Sequence, residues 1–108
     1  MTKEDFEGVI AARIEKITKV LFAKNKEYSP GGDKLNNFKE AGRVKNETPE
    51  KALWGMMVKQ FVACQLRVND LDSGLVASEE FWDEKIGDVI NYFILLECCL
   101  AERRGTSA

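Results

Sequence analysis

Apolar residues recur along this chain at helical spacing, and nowhere do they alternate with the period of a strand. Phe6, Ile10, Ile17, Val20 and Leu21 follow the three-and-four rhythm of one helix face. Thr2 with Asp5 three residues later makes a capping-box start, so the pattern predicts a first helix from about Thr2 to Tyr28. Ser29-Pro30-Gly31-Gly32 ends it, because proline breaks the hydrogen-bond ladder and paired glycines release the backbone. Asp33 is placed to cap a short helix from Lys34 to Val44, anchored by Phe38 and weakened near its end by Gly42. Thr48-Pro49-Glu50 combines a cap hydroxyl, a proline at the first helical position and an acid near the positive end of the dipole. That third helix is expected to run to about Asp70, where Asp72-Ser73-Gly74 stops it. Ser78-Glu79-Glu80 then opens a last helix that closes at Arg103-Arg104-Gly105. The expected fold is all-α, a compact helical bundle of three long helices plus one short helix, in a single helical domain over residues 1–108.

The last two long helices change that picture. From Ala52 to Val68 only Lys59, Gln60, Gln65 and Arg67 are strongly polar, and from Ile86 to Leu100 only Asp88, Asn91 and Glu97 are. A helix that is apolar around most of its circumference must be covered on more than one side. The two remaining helices are too few to do this, so the bundle is expected to self-associate, most simply as a two-fold dimer.

At 108 residues there is room for one domain and a modest core. Sixteen Lys and Arg against eighteen Asp and Glu leave a net charge of −2, and the cations are scattered, which disfavours binding to DNA or RNA. The absence of histidine removes the usual general base and the usual neutral metal ligand, so zinc-hydrolase and Ser–His chemistry lose their standard parts. Cys64, Cys98 and Cys99 lie in apolar segments, form no C-x-x-C pair and follow no signal-like leader; they read as reduced core residues of a cytoplasmic protein. Asp88, Asn91 and Glu97 interrupt the longest apolar run well short of a membrane span.

Polar residues inside apolar helices are costly unless partnered, and so are the first candidates for chemistry. Glu84, Asp88 and Asn91 are spaced by four and then three, which sets them on one face of the last helix. Lys59 and Gln60 sit midway along the other apolar helix. Antiparallel packing of the two would give either a structural Lys59–Asp88 ion pair or the floor of a polar pocket. Glu84 and Asp88, one turn apart, could also hold magnesium, but a two-metal phosphate site needs about four oxygen ligands, and Glu27 or Glu15 would have to supply more. A second candidate is Lys24-Asn25-Lys26-Glu27-Tyr28 with the turn after it, through Asn36-Asn37-Phe38: a glycine-containing turn presents backbone N–H groups, and Lys24, Lys26 and Lys34 add positive charge for an anion. The same segment reads equally as an ordinary helix–loop–helix connection with Tyr28 and Phe38 as core plugs. Trp54 and Trp82 read as packing or interface residues.

Lys24-Asn25-Lys26-Glu27-Tyr28, Asn37-Phe38, Gly55-Met56-Met57-Val58-Lys59 and Asp83-Glu84-Lys85-Ile86-Gly87-Asp88-Val89-Ile90-Asn91-Tyr92 together resemble a family of small helical proteins encoded by phages and prophages. That family is similar in turn to the nucleotide-modification-associated domain and, more remotely, to the all-α nucleoside-triphosphate pyrophosphohydrolases of the MazG type. The resemblance covers about Arg13 to Leu100. It implies a self-associating helical protein, located in the host cytoplasm if phage-encoded, with a phosphorylated nucleotide-like ligand. Its matching positions are Lys24, Asn25, Glu27, Tyr28, Asn37, Lys59, Glu84, Asp88 and Asn91. The family pattern has a histidine after the helix-three lysine and an aspartate later on that helix; Gln60 and Leu66 stand there instead. These departures favour a protein that binds and sequesters a nucleotide-derived ligand, such as a defence-system signal, with no cofactor and no catalytic residue. The alternatives are a magnesium-dependent pyrophosphohydrolase with Glu84 and Asp88 as metal ligands, and a helical adaptor for another protein. Arg103 and Arg104 either cap their helix or reach across a subunit boundary to a phosphate.

Overall fold

The computed structural model describes residues 1–27 and 32–105, the side chains of residues 24–27 excepted. Four α-helices and no strand occur among the described residues, so the chain is all-α. By their internal packing, residues 1–34 and residues 35–108 form two separate units.

The first unit is a single long helix, α1 (Lys3–Glu27). Its start is the reciprocal box expected from the sequence: the Asp5 N–H donates to Thr2 Oγ1 at 3.1 Å, and the Thr2 N–H donates to Asp5 Oδ2 at 3.4 Å. Exposed pairs one turn apart, Lys3–Glu7 at 3.8 Å and Glu15–Lys19 at 3.2 Å, each add a few tenths of a kcal/mol. A helix by itself has no core, so its stability as a unit must come from whatever its apolar side chains pack against.

The second unit holds α2 (Asn36–Lys45), α3 (Pro49–Asp70) and α4 (Glu79–Arg103). Its α2 differs from the sequence expectation at both ends. The residue at its N-cap is Leu35, which supplies no side-chain cap, so Asp33 does not occupy the capping position. Its carboxyl end passes Gly42 and closes at Asn46, whose left-handed φ of 57° turns the chain so that the Asn46 N–H reaches the Arg43 carbonyl and the Glu47 N–H that of Gly42. Gly42 is buried and is not a weak point: a Cβ there would lie 2.6 Å from the Glu47 carbonyl oxygen and 3.1 Å from Thr48 backbone atoms. The missing side chain is what lets the α2–α3 connection fold back across the helix.

The Thr48 hydroxyl accepts from the Lys51 N–H at 3.1 Å, and the Ser78 hydroxyl from the Phe81 N–H at 3.0 Å. Between α3 and α4 a single 3-10 turn (Leu71–Ser73) ends at Gly74, at a φ of 78°, and the Leu75 N–H returns to the Asp70 carbonyl at 3.1 Å. With so short a connection the two helices run antiparallel, and Glu50 near the start of α3 meets Arg103 at the end of α4. Leu35 and Phe38 plug the α3–α4 pair from the α2 side, against Leu53, Met57 and Cys99, with Met56, Tyr92, Leu95 and Leu96 around them. All three cysteines are free thiols, but only Cys99 is a core residue; Cys64 is half-buried and Cys98 exposed. No helix among the described residues is long and apolar enough to cross a membrane.

Candidate functional site

The polar strip expected on the last helix has a gradient along it. Glu84 is exposed, Asp88 half-buried and Asn91 buried, so one face of α4 leads from an open carboxylate to a closed amide. Asn91 is only 6% exposed, and its Oδ1 has no hydrogen-bond partner. A buried acceptor left unmatched costs about 1–3 kcal/mol, so a residue in that state is either a defect of packing or a receptor for a donor from elsewhere. Gln60 on α3 shares the condition: its Oε1 is buried and unpartnered. The sequence marked Gln60, beside Lys59, as a candidate for the floor of a polar pocket but did not count it among the ligand-binding residues.

Lys59 does not join this strip. It is exposed, about 100° of helix turn away from Gln60, and no ion pair links it to Asp88 among the described residues. The structural Lys59–Asp88 pair is therefore absent, because α3 turns Leu53, Met57 and Gln60 inward and leaves Lys59 on the open side. Asn37 is exposed in the first turn of α2, a turn with no acidic side chain. The side chains of Lys24, Asn25 and Glu27 lie outside the described residues, as does all of Tyr28.

A separate cavity of about 280 Å³ opens where α2 meets the start of α3 and the end of α4, lined by Leu35, Lys39, Pro49, Glu50, Cys99, Glu102 and Arg103. Of these positions only Arg103 was weighed from the sequence, as a helix cap or a phosphate contact across a subunit boundary. Arg103 at the end of an apolar helix was the one visible signal. Its charges are already matched: Arg103 grips Glu50 through two nitrogens, the closest contact at 2.6 Å, and Lys39 pairs with Glu102. The hydrogen bonds that Arg103 donates to Glu50, followed by the charge of that carboxylate, raise the guanidinium above its ordinary pKa. Burial, then the Glu50 carboxylate, pushes the Cys99 thiol up to about 11, so it is protonated near neutrality and is no nucleophile. An anion entering here would first have to displace a carboxylate from each cation. The cleft is therefore best read as the seam that docks α2 on the hairpin, and Arg103 as its clamp. Arg104 is the residue after α4, and its N–H donates to the Leu100 carbonyl while the Gly105 N–H donates to that of Glu102.

No group of three or more Cys, Asp or Glu residues among the described residues could hold a metal ion, so Glu84 and Asp88 gain no third ligand there. No family model, no curated protein and no solved structure matches this chain.

Proposed function

We propose that the chain binds a phosphorylated, nucleotide-derived ligand along the Glu84–Asp88–Asn91 face of α4 and holds it without turnover. The observation that carries this reading is the Asn91 amide, almost fully buried with its oxygen unmatched, at the closed end of a polar strip that runs into the mainly apolar stretch from Ile86 to Leu100. Lys59 and Asn37, both exposed, enter the reading through the family resemblance and not through a place on that face. Lys24, Asn25, Glu27 and Tyr28 enter the reading through the family resemblance alone. A phage protein of this kind would suit the capture of a nucleotide signal made by a bacterial defence system, in the host cytoplasm.

Self-association belongs to the same reading. Trp54 and Phe61 of α3 and Phe93 of α4 pack against one another with ring centroids 6.2–6.4 Å apart, yet stay 36–48% exposed. Aromatic clusters of this size at a protein surface are the usual centre of an interface, and a second copy offering the same patch would cover it symmetrically.

The test is a thermal-shift screen of the purified chain against nucleoside triphosphates, cyclic nucleotides and ADP-ribose derivatives, for wild type and Asp88→Asn, with ligand recovered after denaturation. Stabilisation of about 2.7 kcal/mol is expected at a hundredfold excess over Kd, with chemically intact ligand recovered and a weaker response in Asp88→Asn. Pyrophosphate release in the presence of magnesium would replace sequestration by hydrolysis, with Glu84 and Asp88 as metal ligands assisted by Glu27. No response to any nucleotide, together with specific capture of a protein partner, would move the reading to an adaptor.

A further inference from the structure

The α3–α4 hairpin leaves one apolar face open along its length, and that face is charged with opposite sign at its two ends. Trp54, Phe61 and Val68 on α3 and Ile86, Phe93 and Leu100 on α4 recur at intervals of seven, which keeps each set in one line along its helix. Each is 36–52% exposed, and the ring contacts of Trp54 and Phe61 with Phe93 join the two lines into one surface. With the other exposed aliphatic side chains of α3 beside them, the open apolar area is comparable to the ~800 Å² that one partner contributes to a standard interface. Glu79 continues the α4 line seven residues before Ile86, and Arg104 continues it four residues after Leu100. Lys51 stands one turn before Trp54, and Asp72 follows the end of α3. These charged side chains are exposed. The end of the face where Glu50 meets Arg103 therefore carries Lys51 and Arg104, and the turn end carries Glu79 and Asp72. Glu97 interrupts the α4 line near Leu100 without reversing that polarity.

A partner that fits this face is apolar along its middle and carries the two charges in reverse order. A second copy turned end for end meets both requirements, whereas a copy laid in the same direction brings the two basic ends together and the two acidic ends together. The heights agree with the first arrangement. The midpoint between Glu79 and Arg104 falls at Asn91–Tyr92, and that between Lys51 and Asp72 at Phe61–Val62; both lie within two residues of the Phe61–Phe93 contact at 6.3 Å. A two-fold axis crossing the hairpin at that level sets α4 antiparallel to α4 and α3 antiparallel to α3. Arg104 then comes level with the partner's Glu79, and Lys51 with the partner's Asp72. We infer that the protein forms an antiparallel two-fold dimer through this face, a four-helix bundle centred on Phe61 and Phe93 and oriented by Arg104–Glu79 pairs at its ends. This rests on the self-association read above from the aromatic patch, and adds to it the orientation of the copies and the charges that set it.

Sedimentation equilibrium of the full chain tests this, for wild type, Phe93→Glu, Arg104→Glu, Glu79→Lys and the variant carrying both charge reversals, with helix content followed by circular dichroism. The wild-type dimer is expected to weaken as sodium chloride rises from about 0.05 M to about 0.5 M, because screening removes an attraction. Each single reversal is expected to weaken the dimer about tenfold, since two symmetry-related pairs turn repulsive, and the double reversal to restore the wild-type affinity. Mixing Arg104→Glu with Glu79→Lys is expected to restore it too, as a heterodimer, a result that an unfolded variant cannot give. Arg104→Gln and Glu79→Gln, which remove a charge without reversing it, should fall between. A dimer that is lost in Phe93→Glu but is indifferent to the single reversals, or that tightens with salt, overturns the antiparallel arrangement and leaves the aromatic patch as the interface. A dimer that Phe93→Glu leaves intact overturns the patch and this inference with it. A chain that sediments as a monomer at every concentration does the same.

Discussion

Cys99 titrates well above the ordinary thiol range, and the cause is its place in the core between α2 and the hairpin. Its thiol is pushed up to about 11, first by burial and then by the Glu50 carboxylate, whereas in the unfolded chain it titrates near 9. The folded pKa lies above the unfolded one, so the folded state keeps the proton more tightly. The corresponding stability is fully present below about pH 9 and is lost as pH rises through about 11. Two pH units correspond to roughly 2–3 kcal/mol. Urea midpoints of wild type and Cys99→Ala at pH 8 and pH 10.5 should converge at the higher pH, because the variant lacks this loss. Parallel declines in the two proteins would remove Cys99 as the source. The sequence showed that Cys99 lay in an apolar segment. It could not show that Cys98 next to it would be exposed, because adjacent helical residues point about 100° apart and only packing decides which faces inward.

At the scale of elements, the sequence was most legible where a cap is local. Thr2 with Asp5, Thr48 and Ser78 each satisfy backbone donors within three residues of themselves, so the starts of α1, α3 and α4 followed from short stretches of chain. The short helix α2, expected over Lys34–Val44, runs over Asn36–Lys45, a shift of two residues at its start and one at its end, because its limits are tertiary. It starts where Leu35 and Phe38 enter the core, and its end is shaped by the connection crossing over Gly42. Gly42→Ala should therefore destabilise, although alanine is the better helix former by about 1 kcal/mol. The added methyl meets backbone atoms of Glu47 and Thr48 that cannot swing aside, and a net cost of about 1–3 kcal/mol is expected in a urea titration. A more stable Gly42→Ala protein would mean that the crossing is looser than these distances.

Across the whole molecule, the sequence showed that α3 and α4 are apolar on too many sides, and it named Asp88 and Asn91 as polar exceptions. What it could not supply was the depth of each. That Asn91 is buried and Lys59 open depends on the rotation of each helix about its axis, which the core of Leu53, Met57 and Cys99 sets. The same rotation turns Trp54, Phe61 and Phe93 outward together. If two copies meet on this patch, Phe93→Glu should shift the sedimentation profile toward monomer at micromolar concentration, while far-ultraviolet circular dichroism stays unchanged, since the residue is already 45% exposed. A wild-type chain that sediments as a monomer at every concentration would remove the self-association reading. The two tryptophans also differ in setting: Trp54 lies edge-on to two phenylalanines on the outer face of the hairpin, and Trp82 lies edge-on to Phe81 at the start of α4. The molecule thus carries its own optical label. Occlusion of the patch would shift Trp54 emission to shorter wavelength and protect it from iodide quenching, with Trp82 as the internal reference, so association can be followed in unlabelled protein at nanomolar concentrations.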